Sequence, residues 1–303
     1  MHHRAVSISI GASLRDKKVE LDLFGKTIQL ERIGTDGDME AAAQLYRDLD
    51  GKVGALGVGG ALLGFLIDHK WYNLRSVQKL VKDVKITPVV DGTGLKDTLE
   101  RKAAAVIEPY LDGSPKNVFQ MSGADRYGLS RGFMDLGYKS IFGDLMFGLG
   151  LPISISDDAG LKRMAKFLIP VITNLPFSWL YPTGEKQEIH TPKFTKYFEW
   201  ATVISGDCHY ITKYMPNNLD GKIIVTNTTT AKDREIFKKA GVRLLVTTTP
   251  ILDGRSFGTN MMEAGIVTAR GWTDRIDYQS TAYFEKMKEA IRDLNLSPQL
   301  QEL

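Results

Sequence analysis

The sequence is poor in the residues that form disulfides and metal sites. It contains one cysteine, Cys208, and five histidines among 303 residues, and no two histidines have the H-x-H or H-x-x-x-H spacing. A single thiol cannot form an internal disulfide or supply a multi-cysteine zinc site. We therefore expect a cytoplasmic chain in a reducing compartment, with no metal site.

The sequence also lacks a block of like charges. Its 39 Lys and Arg residues and 36 Asp and Glu residues are interleaved, and the formal net charge is +3. Binding to nucleic acid requires basic residues that cluster on one surface and displace counterions. The expected partner is therefore a small-molecule substrate and not a nucleic acid, and the sequence leaves formation of a homodimer open.

No long hydrophobic run is free of proline. The longest stretch without charged residues, 167–184, has 18 residues and contains prolines at 170, 176 and 182. A transmembrane helix needs about 20 consecutive apolar residues, so we expect no stable membrane insertion. The apolar segment 161–182 is predicted to be a proline-broken helical region in the core or at an interface. A role in covering or widening the substrate site is the alternative.

Short apolar strands alternate with amphipathic helices along the chain. The patterns predict helices over 39–49, 74–84, 95–111, 129–136, 233–240, 262–269 and 281–294, and strands over 5–10, 19–24, 27–33, 53–60, 87–90, 117–121, 140–143, 201–205, 222–226 and 242–247. Such alternation is typical of βαβ units and a mostly parallel sheet. The predicted fold class is therefore α/β.

The length and the turn residues indicate two domains. Domains average roughly 150 residues, so 303 residues allow two, and turn-forming residues cluster at 112–116. We predict an N-terminal α/β domain over 1–113 and a Rossmann-like, doubly wound parallel-sheet domain over 114–280, with a helical insertion at about 157–195. Helices within 281–303 are expected to pack back on the first domain.

A glycine turn in the second domain suggests a dinucleotide site. The predicted strand 117–121 leads into Gly123-Ala-Asp125-Arg126-Tyr-Gly128, and Asp144 follows the next strand, 21 residues after Gly123. In dinucleotide sites the turn approaches the pyrophosphate, and an acid about 20 residues later binds the ribose hydroxyls. The candidate cofactor ligands are therefore Gly123, Asp125, Arg126, Gly128 and Asp144. Asp144 favours NAD, because a carboxylate repels a 2′-phosphate, although the nearby Lys139 leaves NADP open.

The turn departs from the G-x-G-x-x-G pattern because Asp125 replaces the middle glycine. A carboxylate at that position would repel phosphate. Three outcomes remain open: Arg126 compensates, the cofactor sits differently, or the site has lost nucleotide binding. The alternative for the whole segment is an ordinary strand–turn–helix of an α/β sheet.

Further polar candidates lie after two predicted strands and before one predicted helix. Asn227 and Thr228 come after the strand 222–226 and are candidates to contact nicotinamide or ribose, with helix capping as the plainer alternative. His209 follows the strand 201–205 and is a candidate substrate donor. Asn260 precedes a helix and is a candidate to bind an anionic substrate group, or simply part of a turn.

The thiol next to His209 is the remaining candidate nucleophile. Cys208 and His209 are adjacent on a segment that we expect to be extended, so their side chains point to opposite faces and pair poorly. Acyl-group reduction that uses Cys208 is therefore an alternative only.

An aspartate at the end of a buried strand is the candidate proton donor or acceptor. Asp91 follows the strand 87–90 and is flanked by glycine, in the region where open α/β sheets bind ligands. Lys70 is the nearest plausible partner for proton exchange, and Lys96 competes with it and is a candidate substrate ligand. The alternatives are a helix-capping role for Asp91 and a solvated loop lysine for Lys70.

The order of these features resembles the shikimate/quinate dehydrogenase superfamily, in particular the bacterial proteins labelled quinate 5-dehydrogenase. The run Val89-Val90-Asp91-Gly92-Thr93-Gly94 is similar to the family's N-T-D-G-x-G motif, with two valines in place of Asn-Thr. Residues 67–70 resemble its N-V-T-x-P-x-K motif only in part, and Asp253-Gly254 matches a late D-G turn. The resemblance implies that the first domain binds substrate and that Asp91 and Lys70 are catalytic.

We therefore expect an NAD(P)-dependent oxidoreductase. NAD(H) would lie in the crevice between the domains, and hydride would pass to or from a small polar hydroxy or carbonyl compound. A non-catalytic ligand-binding or regulatory protein on a dehydrogenase-like scaffold is the first alternative, because Asp125 and the altered motifs favour it. The acyl-group reductase that uses Cys208 is the second.

Overall fold

The computed structural model describes residues 3–174, 190–249, 251–252 and 255–303. The chain divides into two compact units. The first comprises Met1–Leu95, Leu168–Thr183 and Leu252–Leu296, and the second comprises Lys96–Phe167, Gly184–Ile251 and Ser297–Leu303. The first division therefore lies at Leu95, and the boundary predicted near 113 falls inside the second unit.

The first unit is built on a five-stranded sheet of order β2-β3-β1-β4-β7, in which only β2 and β3 pair in an antiparallel manner. Its strands are β1 (Arg4–Ser9), β2 (Lys17–Leu23), β3 (Lys26–Gly34), β4 (Ala55–Gly59) and β7 (Val89–Val90), with a separate hairpin of β5 (Gly64–Ile67) and β6 (Lys70–Asn73). Its helices are α1 (Met39–Leu49), α2 (Arg75–Val81), α11 (Thr259–Arg270) and α12 (Thr281–Asp293). This is the mixed α/β unit that the sequence predicts.

Local sequence signals explain the first half of this unit. Phe24 and Gly25 both have positive φ, 54° and 72°, the backbone of a two-residue type I′ turn that joins β2 to β3. Helix α1 begins at Met39 because the Asp38 carboxylate accepts hydrogen bonds from the next free backbone amides. Tyr46 of α1 is buried, and its hydroxyl reaches the backbone of β1 and β4, so the helix is fixed against the sheet.

The second unit contains a six-stranded sheet of order β15-β12-β11-β10-β8-β9, parallel except for β15 at one edge. The strands are β8 (Asn117–Gln120), β9 (Lys139–Phe142), β10 (Val203–Ser205), β11 (Ile223–Thr226), β12 (Leu244–Thr247) and β15 (Gln299–Glu302). Its helices include α4 (Ala103–Ile107), α5 (Tyr127–Asp135), α6 (Asp144–Gly148), α8 (Thr195–Trp200), α9 (Cys208–Tyr214) and α10 (Ala231–Lys239).

Buried side chains cover both faces of this sheet. On one face, alternate strand residues such as Val118 pack with Ile107 of α4 and Phe133 of α5. On the other, residues such as Phe119 pack with α8, α9 and α10. Helices on both faces of a mostly parallel sheet confirm the predicted doubly wound, Rossmann-like arrangement.

The single helix predicted over 95–111 is wrong. The segment forms α3 (Thr93–Thr98), a 3₁₀ turn (Glu100–Lys102), α4 and a second 3₁₀ turn (Glu108–Tyr110). Proline at position 109 lacks the backbone N–H that a continuous α-helix needs. The backbone near Lys96 and Arg101 also packs directly on glycines of α5, which couples its path to a neighbouring helix.

The predicted insertion at about 157–195 is described only in part. Helix α7 (Asp158–Ile172) contains Pro170 near its end, and residues 175–189 lie outside the described residues. Strands β13 (Ile251–Leu252) and β14 (Arg255–Ser256) form a small pair. Within the described ranges, no helix has both the length and the apolar character needed to cross a membrane.

Candidate functional site

The strand order of the second unit reverses next to β8. The strand β9 lies on one side of β8, whereas β10, β11 and β12 lie on the other. Open α/β sheets bind ligands at such a reversal, outside the carboxyl ends of the strands. We call the residues at this edge the switch-point site: Gly123, Ala124, Asp125, Arg126, Asp144, Asp207 and Asn227. The structure therefore brings together most of the predicted cofactor residues.

The carboxylate of Asp144 is bound to the glycine turn. The Gly123 N–H donates to Oδ2 over 2.9 Å, and the Ala124 N–H donates to Oδ1 over 2.8 Å. Burial raises the pKa of Asp144 to about 6, these amides oppose that rise, and the Asp125 carboxylate adds to it. Asp144 thus occupies the two amide donors at the start of the turn.

Packing explains both glycines of the turn. A Cβ at Gly123 would lie 2.4 Å from Cδ1 of Phe142, and one at Gly128 would lie 2.3 Å from the Lys96 carbonyl oxygen. Both positions therefore require glycine irrespective of any phosphate. The signal that suggested a pyrophosphate loop has a structural cause in this chain.

Asp125 is paired with a cation. Its Oδ1 accepts a hydrogen bond from Lys96 Nζ over 2.7 Å. Burial opposes the charged form, but the Lys96 ammonium and the Arg126 guanidinium hold the pKa of Asp125 below its usual value. Lys96, which the sequence proposed as a substrate ligand, therefore neutralises the acid that replaces the middle glycine.

A buried ion pair lies behind the turn. Arg126 Nη1 lies 2.5 Å from Glu100 Oε1, which also accepts the Thr248 hydroxyl over 3.1 Å. Arg126 Nη2 lies 3.6 Å from Asp207 Oδ2. Burial disfavours the charged form of Arg126, but these carboxylates and Asp125 raise its pKa above the ordinary value. Arg126 is thus held by protein carboxylates, which argues against its compensating Asp125 by binding phosphate.

Glu100 was missed by the sequence reasoning. Its side chain is fully buried. The available signal was its place on the same helical face as the apolar residues Ala104 and Ile107, where a solvated glutamate would not be expected.

Asp207 and Asn227 form the β10–β11 side of the site. Asp207 Oδ1 accepts the His209 N–H over 3.0 Å and so caps α9, and Oδ2 accepts Asn227 Nδ2 over 2.7 Å. The Asn227 Oδ1 accepts the Cys208 N–H over 3.3 Å. Thr228 is half-buried directly after Asn227. The Asp207 and Asn227 side chains are therefore held in a fixed orientation by backbone and side-chain partners.

The expectation that Cys208 and His209 lie on an extended chain is wrong. They are the first residues of α9, and the Asp207 cap explains why the helix begins there. Cys208 is buried, and burial together with the Asp233 and Asp207 carboxylates raises the pKa of its thiol. A thiolate is therefore disfavoured, which argues against acyl-group reduction at Cys208. His209 is exposed.

In the first unit, Asp91 and Lys70 do not form the predicted pair. Asp91 Oδ2 accepts the Leu63 N–H over 2.7 Å and Oδ1 accepts the Thr93 N–H over 3.0 Å, so the carboxylate binds backbone. Lys70 is exposed on β6, and its ammonium lies 5.0 Å from the Tyr72 ring centroid. These contacts are those of a capping residue, which is the alternative that the sequence left open for Asp91.

Glu263 is a second buried acid that the sequence reasoning missed. Its Oε1 accepts the Tyr283 hydroxyl over 2.5 Å, the Tyr278 hydroxyl over 3.1 Å and the Gly94 N–H over 3.2 Å. Burial and the nearby Asp91 carboxylate raise its pKa to about 8. A lone acid within the otherwise apolar stretch of α11 was the signal that could have identified it.

Asn260 and the Asp253-Gly254 turn are the remaining predicted positions. Asn260 Nδ2 donates to the Ser7 hydroxyl over 2.5 Å within the first unit. Asp253 and Gly254, the D-G turn of the suggested family, lie outside the described residues. In residues 3–174, 190–249 and the described part of 251–303, no group of three or more His, Cys, Asp or Glu side chains is placed to hold a metal ion.

The donors and acceptors of the switch-point site favour a particular ligand chemistry. Asp144 and the two turn amides place two acceptor oxygens beside two N–H donors. Each hydroxyl of a vicinal diol can donate to a carboxylate oxygen and accept from an amide. A phosphate has only acceptor oxygens when ionised and would face the carboxylate. The arrangement therefore suits a diol that takes the place of these two internal hydrogen bonds.

Comparison with solved structures finds distant likenesses. The NAD-dependent malic enzyme from Thermotoga maritima is 10% identical, covers 95% of this chain and 84% of its own, and has a TM-score of 0.36. The Entamoeba histolytica malic enzyme is 10% identical, with coverage of 97% and 71% and a TM-score of 0.37. A galactofuranose binding protein is 12% identical, with coverage of 96% and 99% and a TM-score of 0.36. Likenesses at this level do not establish function.

Comparison of the sequence with families is more specific. No curated protein matches it. The model of a domain of unknown function, DUF8753, matches residues 4–91, which lie in the first unit. The model of a second domain of unknown function, DUF8754, matches residues 94–303. Because that match spans more than half of the sequence, the chain belongs to the DUF8754 family.

Proposed function

We propose that the protein binds NAD(H) at the switch-point site and is an oxidoreductase of the shikimate/quinate dehydrogenase type, acting on a small polar hydroxy or carbonyl compound. One observation carries the nucleotide part of the proposal. The Asp144 carboxylate and the Gly123 and Ala124 amides form one set of donors and acceptors at the strand-order reversal.

The ribose of NAD fits this set. Its two hydroxyls would donate to the Asp144 oxygens and accept from the turn amides, so that the ligand replaces the internal hydrogen bonds without leaving a buried group unpaired. NADP carries a phosphate on one of these oxygens, and its charge would face Asp144. The site therefore supports NAD over NADP.

The other residues would hold the site in shape. Lys96 neutralises Asp125, so the acid of the turn does not add an unpaired negative charge near the ligand. Glu100 and Arg126 fix the start of α5, and Asp207 with Asn227 fixes the start of α9. When bound, the nicotinamide supplies hydride chemistry.

A non-catalytic ligand-binding protein on the same scaffold is the second candidate. The observation that favours it is the state of the predicted proton-transfer pair: Asp91 binds two backbone amides, and Lys70 lies exposed over Tyr72. Such a protein would bind the nucleotide or a related diol and would not transfer hydride.

The test is a pair of measurements on the full chain. Isothermal titration calorimetry with NAD and with NADP measures binding, and absorbance of the reduced nicotinamide in the presence of a panel of hydroxy acids and polyols measures hydride transfer. The proposal predicts tighter binding of NAD than of NADP, and reduction of NAD with at least one compound. Binding without reduction would favour the second candidate, and absence of binding at millimolar NAD would refute both nucleotide proposals.

A further inference from the structure

A row of aromatic side chains connects the two helices that flank the switch-point site. Phe147 lies on α6, three residues after Asp144, and Tyr214 and Tyr210 lie on α9, which begins after Asp207. The ring centroids of Phe147 and Tyr214 are 5.0 Å apart, and those of Tyr214 and Tyr210 are 6.1 Å apart. These separations are typical of interacting aromatic rings. The row therefore runs from the Asp144 helix to the surface at Tyr210.

Tyr210 is the exposed end of this row. Its relative exposure is 39%, whereas Tyr214 and Phe147 are half-buried. The Tyr210 ring packs against the Tyr214 ring with the two planes tilted by 48°, so a ligand that stacks on Tyr210 would contact a ring that already has a neighbour. A supported aromatic ring loses little conformational freedom when it binds a planar partner.

Two carboxylates of the switch-point site influence the Tyr210 hydroxyl electrostatically. Burial raises the pKa of Tyr210 to about 12, and Asp207, Tyr214 and Asp125 add to the rise. Asp207 follows β10 and directly precedes α9, three residues before Tyr210, and Asp125 belongs to the turn after β8. The phenol stays neutral at physiological pH, and the ring does not introduce another negative charge beside a bound ligand.

We infer that Tyr210 is the stacking platform for the planar base that belongs to the bound ribose, so that the switch-point site recognises a whole nucleoside unit and not the sugar alone. The inference rests on the proposed diol recognition at Asp144 and deepens it. A sugar diol would contact only Asp144 and the turn amides. It has no planar group that could stack on Tyr210. A nucleoside carries a diol and a planar base in one small molecule.

The contribution of base stacking on an aromatic side chain to binding affinity is known from substitutions of such side chains. Replacing such a side chain weakens binding by roughly 5- to 100-fold. Because stacking depends on the ring and not on the hydroxyl, Tyr210→Phe should retain most of the affinity and Tyr210→Leu should lose it. Neither substitution removes a partner of Asp144, so the affinity for a free sugar should stay unchanged.

The chain offers a matched control. Tyr110 is exposed to 38%, nearly the same as Tyr210, and lies in the second unit ahead of β8, where its carbonyl oxygen accepts from Arg243. That position is at the amino ends of the strands, on the opposite edge of the sheet from the switch-point site. Tyr110→Leu therefore removes an equally exposed ring away from the proposed ligand.

The experiment measures the affinities of adenosine and D-ribose for the full-length wild type, Tyr210→Leu, Tyr210→Phe and Tyr110→Leu by titration calorimetry. We expect adenosine to bind the wild type roughly 5- to 100-fold more tightly than ribose. Tyr210→Leu should remove that advantage, and the other two variants should keep it. Circular dichroism and thermal unfolding of each variant establish that it is folded.

The outcomes separate this inference from the proposed function. Equal wild-type affinities for adenosine and ribose, or unchanged adenosine affinity in Tyr210→Leu, would overturn the stacking role while leaving diol recognition in place. Adenosine binding that depends on Tyr210, together with no hydride transfer from NAD, would support the inference and refute the oxidoreductase proposal. Failure to bind either ligand would overturn both.

Discussion

Glu100 and Arg126 form a buried ion pair at the carboxyl edge of the second sheet, with Arg126 Nη1 2.5 Å from Glu100 Oε1. The pair joins the 3₁₀ turn before α4 to the residue that precedes α5. Two ions removed from water stabilise a fold only when each satisfies the other. The pair lies beside the switch-point site, and its contribution to stability can be tested separately from any ligand.

Glu100→Gln should strongly destabilise the second unit, because the buried Arg126 guanidinium loses its nearest carboxylate and keeps only the more distant Asp207, at 3.6 Å, and Asp125. Breaking one half of a buried pair costs about 3–5 kcal/mol in the free energy of unfolding. The matched control is Asp135→Asn, which breaks the exposed pairs with Arg101 and Arg131 and should cost about 0–1 kcal/mol for each pair. Urea unfolding followed by circular dichroism measures both. Equal losses in the two variants would contradict a structural role for the buried pair.

The tight contact of α5 with the preceding segment predicts a second stability effect. A Cβ at Gly128 would lie 2.3 Å from the Lys96 carbonyl oxygen, so Gly128→Ala requires backbone movement and should cost about 1–3 kcal/mol. Gly148→Ala is the control, since a Cβ there meets no atom within 4 Å. It should be neutral or slightly stabilising. If Gly128→Ala unfolds at the same urea concentration as the wild type, the packing explanation of this glycine is wrong.

Glu263 predicts a pH dependence of stability. Its pKa in the folded protein is about 8, above the ordinary glutamate value of 4.5, so the folded state retains a proton that the unfolded state loses. The stability contributed by this group is therefore fully present below the unfolded pKa and is lost as the pH rises to about 8, by up to about 1.4 kcal/mol per pH unit. Glu263→Gln should flatten that slope in urea unfolding between pH 5 and 9. The exposed Glu289→Gln should not, and an unchanged slope in Glu263→Gln would count against the assignment.

Local signals were sufficient for many elements. Helix α1 begins and ends where predicted, because Asp38 caps it and apolar residues recur at helical spacing. The spacing between Gly123 and Asp144 also predicted correctly that the two lie together, since the lengths of a strand, a helix and a second strand determine where the chain returns.

Long-range contacts account for what the sequence did not predict. Glu100 and Glu263 are buried because Arg126 in one case and two tyrosines in the other meet them from distant parts of the chain. The same limitation affects Lys70: its place on a hairpin away from the Asp91 hydrogen bonds depends on how β5 and β6 pair. The spacing of residues along the chain contains little information about contacts between residues that are distant in sequence.

Asp144 predicts a pH dependence of nucleotide binding. Only the ionised carboxylate accepts from both ribose hydroxyls, and its pKa of about 6 lies near neutrality. The affinity for NAD should therefore be constant above about pH 7 and fall as the pH decreases through 6. Titration calorimetry from pH 5 to 8 measures this profile. In Asp144→Asn the affinity should be low at every pH, and a wild-type profile with no decrease near pH 6 would show that Asp144 does not bind the ligand as a carboxylate.

The most direct test of the account is the affinity of NAD for the wild type and for Asp144→Ala at neutral pH, with Asp135→Ala as the control on the exposed end of α5. Hydrogen bonds to a charged group contribute about 1.5–3 kcal/mol, so we predict a loss of roughly 10- to 100-fold in Asp144→Ala and little change in the control. Equal affinity of NAD for the wild type and for Asp144→Ala would contradict the account.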